Sequence, residues 1–379
     1  MAGLSLLDLG FYVSETEESP KHVSGLMIFK KPAGKANFFD QLVAQCLASS
    51  EVSPPFNQVI KLGSLTGPKL QTSPDFNIAN HIISHNLLAA TGENDQRALH
   101  EFCAQLHDVQ LDREKPLWEF HFIDGLAGDR FAIFNKIHHV YADGMTLTRW
   151  LSKCLNDSPD QPFFNVLWNI ERSGGEREAS GISIGKIVSS LVQSGKTQIK
   201  MWRGINKLAL QIAAERAGLT KNAVAVPFKS QRTPLTGQAQ KGRQIAVAKV
   251  SMARIDALRK RTRSSLNHIA LTCIDGALHR FLEEYDADLD EPITINMPVN
   301  LRKEGETKAG NRIGIVLVDL AKRTNDPYER LREIGFTLRN VRHQVDGVDP
   351  EAMVAYTLAL NSVTMLIEAI KLSNVLPPL

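Results

Sequence analysis

The sequence predicts an α/β or α+β protein built of two lobes, with mixed sheets flanked by helices. Strand-like and helix-like segments alternate in both halves of the chain, which is typical of these fold classes. The length of 379 residues exceeds what one simple core accommodates and favours two lobes. With 43% hydrophobic and 22% charged residues, the composition is that of an ordinary globular protein. The net charge of +3 gives no argument for a nucleic-acid partner.

The first half of the chain alternates strand candidates with helix candidates. The strands are HVSGLMIF (22–29), LWEFHFIDGL (117–126) and FAIFNKI (131–137), and the helices are FFDQLVAQCLA (38–48) and the segment from Met145 to Leu155. A turn at Asp124-Gly125 and the short loop AGDR separate the last two strands, which therefore predict a hairpin. The second helix has one apolar face, formed by Leu147, Trp150, Leu151 and Cys154.

A connector follows and runs into a basic segment. Prolines and glycines interrupt any long element between residues 156 and 181. Residues 182–221 have apolar residues at helical intervals, one acidic residue and seven basic residues, which are Lys186, Lys196, Lys200, Arg203, Lys207, Arg216 and Lys221. Such a helix either lies on anionic lipid or bridges two domains with a solvated basic face, and the second arrangement is the more common. The predicted division is therefore a first lobe (1–155), a connector (156–231) and a second lobe (232–379).

The second half begins a new series of strands and helices. Its strand candidates are QIAVAKVSM (244–252), ITINMPVNL (293–301) and IGIVLVDLA (313–321). Its helix candidates are residues 253–261, 267–285, 327–345 and 351–373. The helix over 267–285 has an apolar series at intervals of four residues, which runs Ile269, Cys273, Ala277 and Phe281.

Cysteine spacing and the N-terminal segment indicate the compartment. No CxxC pair occurs among Cys46, Cys103, Cys154 and Cys273, which argues against a zinc ribbon or a disulfide scaffold and favours a reducing compartment. The start of the chain lacks the basic region and apolar core of a signal peptide. No apolar run approaches the roughly 20 residues that span a bilayer. We therefore expect a cytoplasmic protein whose contact with a membrane or lipid inclusion, where it has one, is peripheral.

The stretch HHVYADG, from His138 to Gly144, lies between a strand-like run and a helix-like run. Neighbouring side chains of a strand point to opposite faces, so only one of His138 and His139 can face a cleft. An exposed imidazole at a strand end suits a general base, because histidine accepts a proton near neutral pH. Asp143 could orient an imidazole, pair with an arginine or cap the following helix. Gly144 permits a tight turn and a close approach of the backbone.

Three other interpretations of this stretch compete. A metal site made of His138, His139 and Asp143 lacks a zinc spacing such as HExxH. A nucleophile system lacks both a GxSxG motif and a local cysteine signature. The third interpretation is a turn that takes no part in chemistry. The spacing alone does not distinguish such a turn from a catalytic site, because single short motifs are weak indicators. We expect no metal at this stretch.

Several motifs in order along the chain resemble one enzyme family. HHVYADG resembles the HHxxxDG motif of the acyl-CoA-dependent acyltransferases. Most of the chain resembles the bacterial wax ester synthase/acyl-CoA:diacylglycerol acyltransferase family. The other blocks that carry the resemblance are LSLLDLGFY with KHVSGLMIF, DFNIANHI (75–82), LDREKPLWEFHFIDGL (111–126) with its PLWE signature, RTPLTG (232–237), NMPVNLR (296–302) and GNRIG (310–314).

This resemblance implies a fold and a reaction. The fold would be two chloramphenicol-acetyltransferase-like lobes with a tunnel between them. The reaction would move a long-chain acyl group from acyl-CoA to a fatty alcohol or to diacylglycerol, releasing a wax ester or a triacylglycerol storage lipid and free CoA. Acyl-CoA is then a substrate, no cofactor is needed, and His139 is the general base. The alternative is a condensation-type or acyl-carrier-binding module of the same fold.

The resemblance also implies roles for other residues. His138 would set the loop or the neighbouring imidazole, and Asp143 would fix the loop, for instance through Arg302 or as a plain helix cap. Asn267 is a candidate donor to the charge that develops on the thioester carbonyl, or else the N-cap of its helix. Candidate substrate-binding residues are Gly144, Trp118, Arg302 and Asn311. Trp118 belongs to the PLWE signature, and its alternative role is packing in the core.

Two features depart from the family pattern. The chain has Asn267-His268 where family members usually have Asn-Asp, so no role is carried over to the second position of that pair. The chain ends at NVLPPL, where family members usually continue into a further turn and additional strands. The second lobe is therefore expected to be incomplete at its C-terminal end.

Overall fold

The computed structural model describes residues 4, 6–35, 37–49, 51–61, 68–87, 94–158, 165–169, 230–285, 289, 291–300, 313–346, 348 and selected residues between 353 and 367. The basic segment 182–221, most of the connector, Arg302, Asn311 and the C-terminal NVLPPL lie outside the described residues. The chain divides into two compact units. The first comprises Met1–Val188, Ala239–Ala246 and Gly305–Asn311, and the second comprises Ser189–Gln238, Val247–Glu304 and Arg312–Leu379.

A four-stranded mixed sheet forms the centre of the first unit. Its strands are β1 (His22–Lys30), β4 (Ile82–Asn86), β5 (Trp118–Leu126) and β6 (Arg130–His138), in the order β1-β6-β5-β4. β6 is antiparallel to both neighbours, and β4 is parallel to β5. A separate hairpin pairs β2 (Gln58–Lys61) with β3 (Lys69–Thr72). The helices are α1 (Leu6–Val13), α2 (Phe38–Ala48), α3 (Asn94–Asp108) and α4 (Gly144–Lys153).

Strand alternation gives the central sheet two distinct faces. On one face, Ala132 and Phe134 pack with Leu99 and Cys103 of α3. On the other face, the main core combines aromatic and aliphatic residues of the sheet with α2 and α4, among them Phe39, Trp118, Phe131, Ile137, Leu147 and Trp150. The strands of the predicted hairpin are confirmed, and they position the end of β6 between two covered faces.

The predicted turn at Asp124-Gly125 is wrong, although the hairpin is right. Both residues lie within β5, at a shift in the register with β6 between Ile123 and Leu126. Gly125 has a positive φ of 84°, and a Cβ there would lie 2.7 Å from the Asn86 side chain. A glycine is therefore required by an irregularity inside the strand, while the reversal itself occurs at residues 127–129.

The described part of the second unit contains a two-stranded antiparallel sheet and three continuous helices. β7 (Thr294–Asn300) pairs with β8 (Ile313–Asp319), and the helices are α5 (Met252–Thr262), α6 (Leu266–Glu284) and α7 (Pro327–Asp346). Val316 and Val318 of β8 pack with Val341 of α7 and with Met353. The residues described between 353 and 367 are helical.

The predicted strand at 244–252 is wrong. Residues 244–251 form no strand ladder, and α5 begins at Met252. Val247 and Val250 are 54% and 61% exposed. The alternation of apolar residues is present, but no neighbouring strand in the described part of the chain supplies the hydrogen bonds that a strand needs.

Helix α6 buries only the first member of the apolar series predicted from its sequence. Ile269 is buried, whereas Cys273, Ala277 and Phe281 are exposed, and the other buried residues of the helix are Asp275, His279 and Leu282. Asp275 Oδ2 lies 3.1 Å from Nε of Arg330, which belongs to α7. A buried carboxylate requires such a partner, so the ion pair helps to decide which side of α6 faces inward.

Candidate active site

The stretch HHVYADG forms a turn, here called the histidine turn (residues 138–144), that joins β6 to α4. The N–H of His138 donates to the Leu117 carbonyl at 3.0 Å, and the N–H of His139 donates to the Lys21 carbonyl at 3.0 Å. The Tyr141 N–H closes the turn on the His138 carbonyl at 3.0 Å. The backbone of the turn is therefore fixed by the segments that precede β5 and β1.

His138 points into the interior. It is the last residue of β6 and is 0% exposed. Its Nδ1 accepts the N–H of Val140 at 3.0 Å, so the ring proton of the neutral imidazole is on Nε2. That Nε2 lies 3.7 Å from Oε1 of Glu15, whose side chain is also fully buried. A residue enclosed in this way can orient its neighbours but offers no atom to a substrate.

His139 has the exposure that a reacting group needs. It is partly exposed, in contrast to His138, as strand alternation predicts for adjacent residues. Its ring stacks on Phe11 of α1, with the centroids 4.6 Å apart and the planes at 14°. Partial burial and the neighbouring His138 lower the pKa of His139 to about 4, against the opposing effects of Asp143 and Asp8. The imidazole is therefore neutral at pH 7 and able to accept a proton.

We expect the pH dependence of acyl transfer to report this low pKa. If neutral His139 is the base, kcat/KM should fall on the acid side with a midpoint near pH 4, instead of the midpoint near 6.5 of an ordinary histidine. The same shift costs stability in acid. Because the unfolded histidine takes up a proton that the folded one does not, the free energy of unfolding decreases as the pH falls from 6.5 towards 4.

The measurement is initial rates from about pH 3.5 to 8, with circular dichroism at each pH to establish that the protein is folded. A midpoint near 6.5 in folded protein would contradict a base with the environment of His139.

Asp143 is the N-cap of α4. Its Oδ1 accepts the N–H of Thr146 at 2.7 Å, its backbone is extended, and it is 0% exposed. Of the roles considered for Asp143, this geometry matches the helix cap. A pairing with Arg302 falls outside the described residues. Asp143 thus holds the start of α4, and its charge also acts to raise the pKa of His139.

Replacing Asp143 by alanine should destabilise the protein by about 0.5–2 kcal/mol, the usual cost of losing an N-cap. Asp143→Asn keeps an oxygen that can accept the Thr146 N–H, so it should cost less and leave the choice of acyl acceptor unchanged. Denaturant unfolding and acceptor competition assays measure the two effects. Loss of all turnover in a folded, equally stable Asp143→Asn protein would show that the carboxylate does more than hold the loop.

Gly144 is not required by its own backbone or by crowding. It is the first residue of α4, has no positive φ, and a Cβ added to it would meet no described atom within 4 Å. The turn therefore does not depend on a glycine at this position. The open space beside Gly144 keeps its candidacy for substrate contact, which stays a prediction.

Trp118 lies in the core of the first unit. It is 0% exposed, its Nε1 donates to the Phe56 carbonyl at 2.7 Å, and its ring stacks on His81 with centroids 4.4 Å apart. A side chain without accessible surface cannot touch a substrate. This geometry matches the packing role considered for Trp118 and does not support its assignment to substrate binding.

Asn267 lies in the second unit and is not a helix cap. The N-cap of α6 is Ser265, whose side chain accepts the His268 N–H at 3.2 Å, and Asn267 is an exposed residue of the first turn. The N-cap interpretation is therefore wrong, because the cap lies two residues before Asn267. A role for Asn267 as hydrogen-bond donor stays a prediction.

Two contacts of the histidine turn come from residues that were not predicted. Phe11 supplies the ring that stacks on His139. Glu15 supplies a carboxylate whose Oε1 lies 3.7 Å from Nε2 of His138. Glu15 sits in the acidic stretch SETEES, which reads as a solvated loop. It lies between the two N-terminal blocks that carry the family resemblance, LSLLDLGFY and KHVSGLMIF, and in neither of them. Among the described residues, no group of three or more His, Cys, Asp or Glu side chains is arranged to hold a metal ion.

Comparisons with known proteins agree with the sequence blocks. The model of the wax ester synthase/diacylglycerol acyltransferase catalytic domain matches residues 4–270, and the model of the corresponding C-terminal domain matches residues 309–377. Tgs4 of Mycobacterium tuberculosis, described as a probable diacylglycerol O-acyltransferase, is 30% identical over 100% of this chain and 80% of its own. Tgs2 of the same organism, with the same description, is 28% identical over 98% of this chain and 80% of its own.

Solved structures show the same fold. The wax ester synthase/diacylglycerol acyltransferase from Marinobacter aquaeolei VT8 matches 97% of this chain and 78% of its own, with a TM-score of 0.71 and 23% identity. The first condensation domain of the calcium-dependent antibiotic synthetase matches 91% of this chain and 75% of its own, with a TM-score of 0.53 and 11% identity. These findings confirm the predicted fold class and the resemblance on which the site residues were chosen.

Proposed function

Because the chain belongs to the wax ester synthase/diacylglycerol acyltransferase family and is an O-acyltransferase, we propose that it moves a long-chain acyl group from acyl-CoA to a fatty alcohol or to diacylglycerol. The products are a wax ester or a triacylglycerol, and free CoA. The relatives named as diacylglycerol O-acyltransferases support diacylglycerol as an acceptor. The match to the Marinobacter protein supports the shared fold.

The observation that carries the mechanism is the contrast between the two histidines. His138 is fully buried, whereas His139 is partly exposed and neutral at pH 7. An alcohol has a high pKa and attacks a thioester slowly unless its proton is removed during the attack. A positioned imidazole contributes about 10²–10⁴-fold to such a step.

Each bond change has a partner in this scheme. His139 takes the hydroxyl proton as the alcohol oxygen bonds to the thioester carbon. The negative charge that develops on the carbonyl oxygen is stabilised by hydrogen-bond donors, with Asn267 as a candidate. When the carbon–sulfur bond breaks, the CoA thiolate takes the proton from the His139 imidazolium. No acyl-enzyme forms, so no serine or cysteine nucleophile is needed, and the activated thioester makes a cofactor unnecessary.

The substrates suggest where the protein works. Fatty alcohols and diacylglycerol partition into membranes and lipid inclusions, so we expect access to such a surface from the cytoplasm. No helix among the described residues is long and apolar enough to cross a bilayer.

The test is thiol release from palmitoyl-CoA by the purified chain, with hexadecanol, with a dipalmitoyl diacylglycerol and with no acceptor. Release that depends on an acceptor, accompanied by the matching ester in mass spectra, supports the proposal. Release without acceptor would indicate a thioesterase. Binding of palmitoyl-CoA without release would favour the condensation-type module, whose fold the chain shares.

A further inference from the structure

A buried carboxylate lies directly behind the histidine turn. Glu15 falls between α1 and β1, and its side chain is fully buried. A charged group in the interior is stable only when it is paired and hydrogen-bonded. Its Oε2 accepts from Arg113 Nη2 at 3.2 Å, and its Oε1 accepts the Lys21 N–H at 2.9 Å. Burial acts to raise the pKa of Glu15, but His138, the Lys21 amide and Arg113 together lower it to about 2.

Glu15 reaches both histidines of the turn. Its Oε1 lies 3.7 Å from Nε2 of His138. Through Lys21 it also reaches His139, since the Lys21 N–H donates to Glu15 while the Lys21 carbonyl accepts the His139 N–H at 3.0 Å. The Glu15 carboxylate therefore holds the backbone of Lys21, which in turn holds the backbone of His139. The same carboxylate lies beside the ring of His138.

The contact with His138 bears on the position of the ring proton. Nδ1 of His138 accepts the Val140 N–H, which leaves the proton on Nε2 beside Glu15. No described residue makes a regular hydrogen bond to that Nε2, and 3.7 Å is longer than one. The negative charge of Glu15 thus favours the Nε2–H form electrostatically and opposes a flipped ring, which would break the bond to Val140 and loosen the turn.

Arg113 connects Glu15 with the helix that contacts His139. Its Nη2 donates to the Tyr12 carbonyl at 2.8 Å, and its guanidinium lies over the Tyr12 ring at 4.3 Å. Tyr12 directly follows Phe11, the residue whose ring stacks on His139. The pair of Glu15 and Arg113 therefore links the end of α1 to both sides of the histidine turn.

We propose that Glu15 is a positioning residue for acyl transfer. It holds the His138 ring in one tautomer and the Lys21 backbone in place, so that His139 is correctly oriented. The proposal rests on the proposed function, in which His139 acts on the acceptor hydroxyl. Groups that orient metal-binding histidines from behind typically change metal affinity or activity by roughly 10- to 100-fold when they are removed, and we expect an effect of similar size here.

Glu15→Gln tests the charge at nearly constant shape. We expect kcat to fall roughly 10- to 100-fold while KM for palmitoyl-CoA stays within about twofold, because substrate contacts are unchanged. NMR of the histidine ring nitrogens should show that His138 leaves the pure Nε2–H form. Glu15→Asp keeps the charge and should retain more of both kcat and the His138 tautomer.

Matched variants separate positioning from folding. Glu17→Gln makes the same change two residues away, at a side chain that is 74% exposed, and should leave kcat and the His138 signal unchanged. Arg113→Met removes the cation that pairs with Glu15 but keeps Glu15 beside His138, so it should lower the melting temperature more than it lowers kcat. Circular dichroism and the melting temperature of each variant give the folded fraction.

Three results would overturn the proposal: a folded Glu15→Gln protein with wild-type kcat, losses in Glu15→Asp equal to those in Glu15→Gln, or a His138 tautomer that ignores the substitution. If Glu15→Gln does not fold, the two variants that keep a carboxylate at position 15, Glu15→Asp and Arg113→Met, decide: both should retain the His138 tautomer, and its loss in either folded protein would overturn the proposal. If the wild-type chain transfers no acyl group, the proposed function fails, and the NMR arm still decides whether Glu15 sets His138.

Discussion

Replacing His139 by alanine should reduce acyl transfer by at least about 10²-fold while the fold remains intact, because only the general base is lost. The side chain is partly exposed and stacks on Phe11 at the edge of the turn, so we expect its removal to leave the strands of the central sheet in place. The loss should appear in kcat for every acceptor alike, since the same proton must leave any hydroxyl. The measurement is acceptor-dependent thiol release, with circular dichroism as the check on folding.

Two further histidines serve as controls for that result. His343 is exposed in the last turn of α7, so His343→Ala should behave as wild type. His138→Ala removes a fully buried ring and its bond to Val140, so it should lower both the melting temperature and turnover. Near-full turnover in folded His139→Ala protein would refute the assignment of His139 as the base.

Helices and strands whose pattern lies within one short segment of the chain can be predicted from the sequence. The apolar residues of α2 recur with the helical period and predict a helix over Phe38–Ala48, which are its observed bounds. The pairing of β5 with β6 followed from two alternating runs separated by a short turn. The different exposure of His138 and His139 also follows from strand geometry, since the last strand residue and its neighbour cannot face the same side.

Features set by distant partners were not predictable from local pattern. Residues 244–251 alternate like a strand but have no neighbouring strand among the described residues. In α6, Asp275 is buried beside Ile269 and Leu282, and its partner Arg330 comes from α7. Glu15 reads as a loop residue, and only the fold brings it to Arg113, which lies 98 residues further along the chain. Burial of a charge depends on such partners, which no short window of sequence contains.

Replacing Trp118 by alanine should destabilise the protein by about 3–5 kcal/mol, the usual cost of removing a buried large aromatic side chain. The residue is fully buried, stacks on His81 and on Trp168 at 4.4 and 5.3 Å between centroids, and donates from Nε1 to the Phe56 carbonyl. At roughly 2–4 °C per kcal/mol, the melting temperature should fall by about 6–20 °C. KM for palmitoyl-CoA of the folded fraction should not change, because Trp118 has no surface to offer a substrate.

Two variants make the Trp118 result specific. Trp118→Phe keeps most of the stacking area but leaves the Phe56 carbonyl without its donor, so it should lose about 1–3 kcal/mol. Tyr328→Ala removes an aromatic ring that is 64% exposed and should change stability by no more than about 0.5 kcal/mol. A Trp118→Ala protein with an unchanged melting temperature and a KM raised tenfold or more would instead place this side chain on the acyl-CoA path, and would mean that the core around Phe56 and His81 opens when substrate binds.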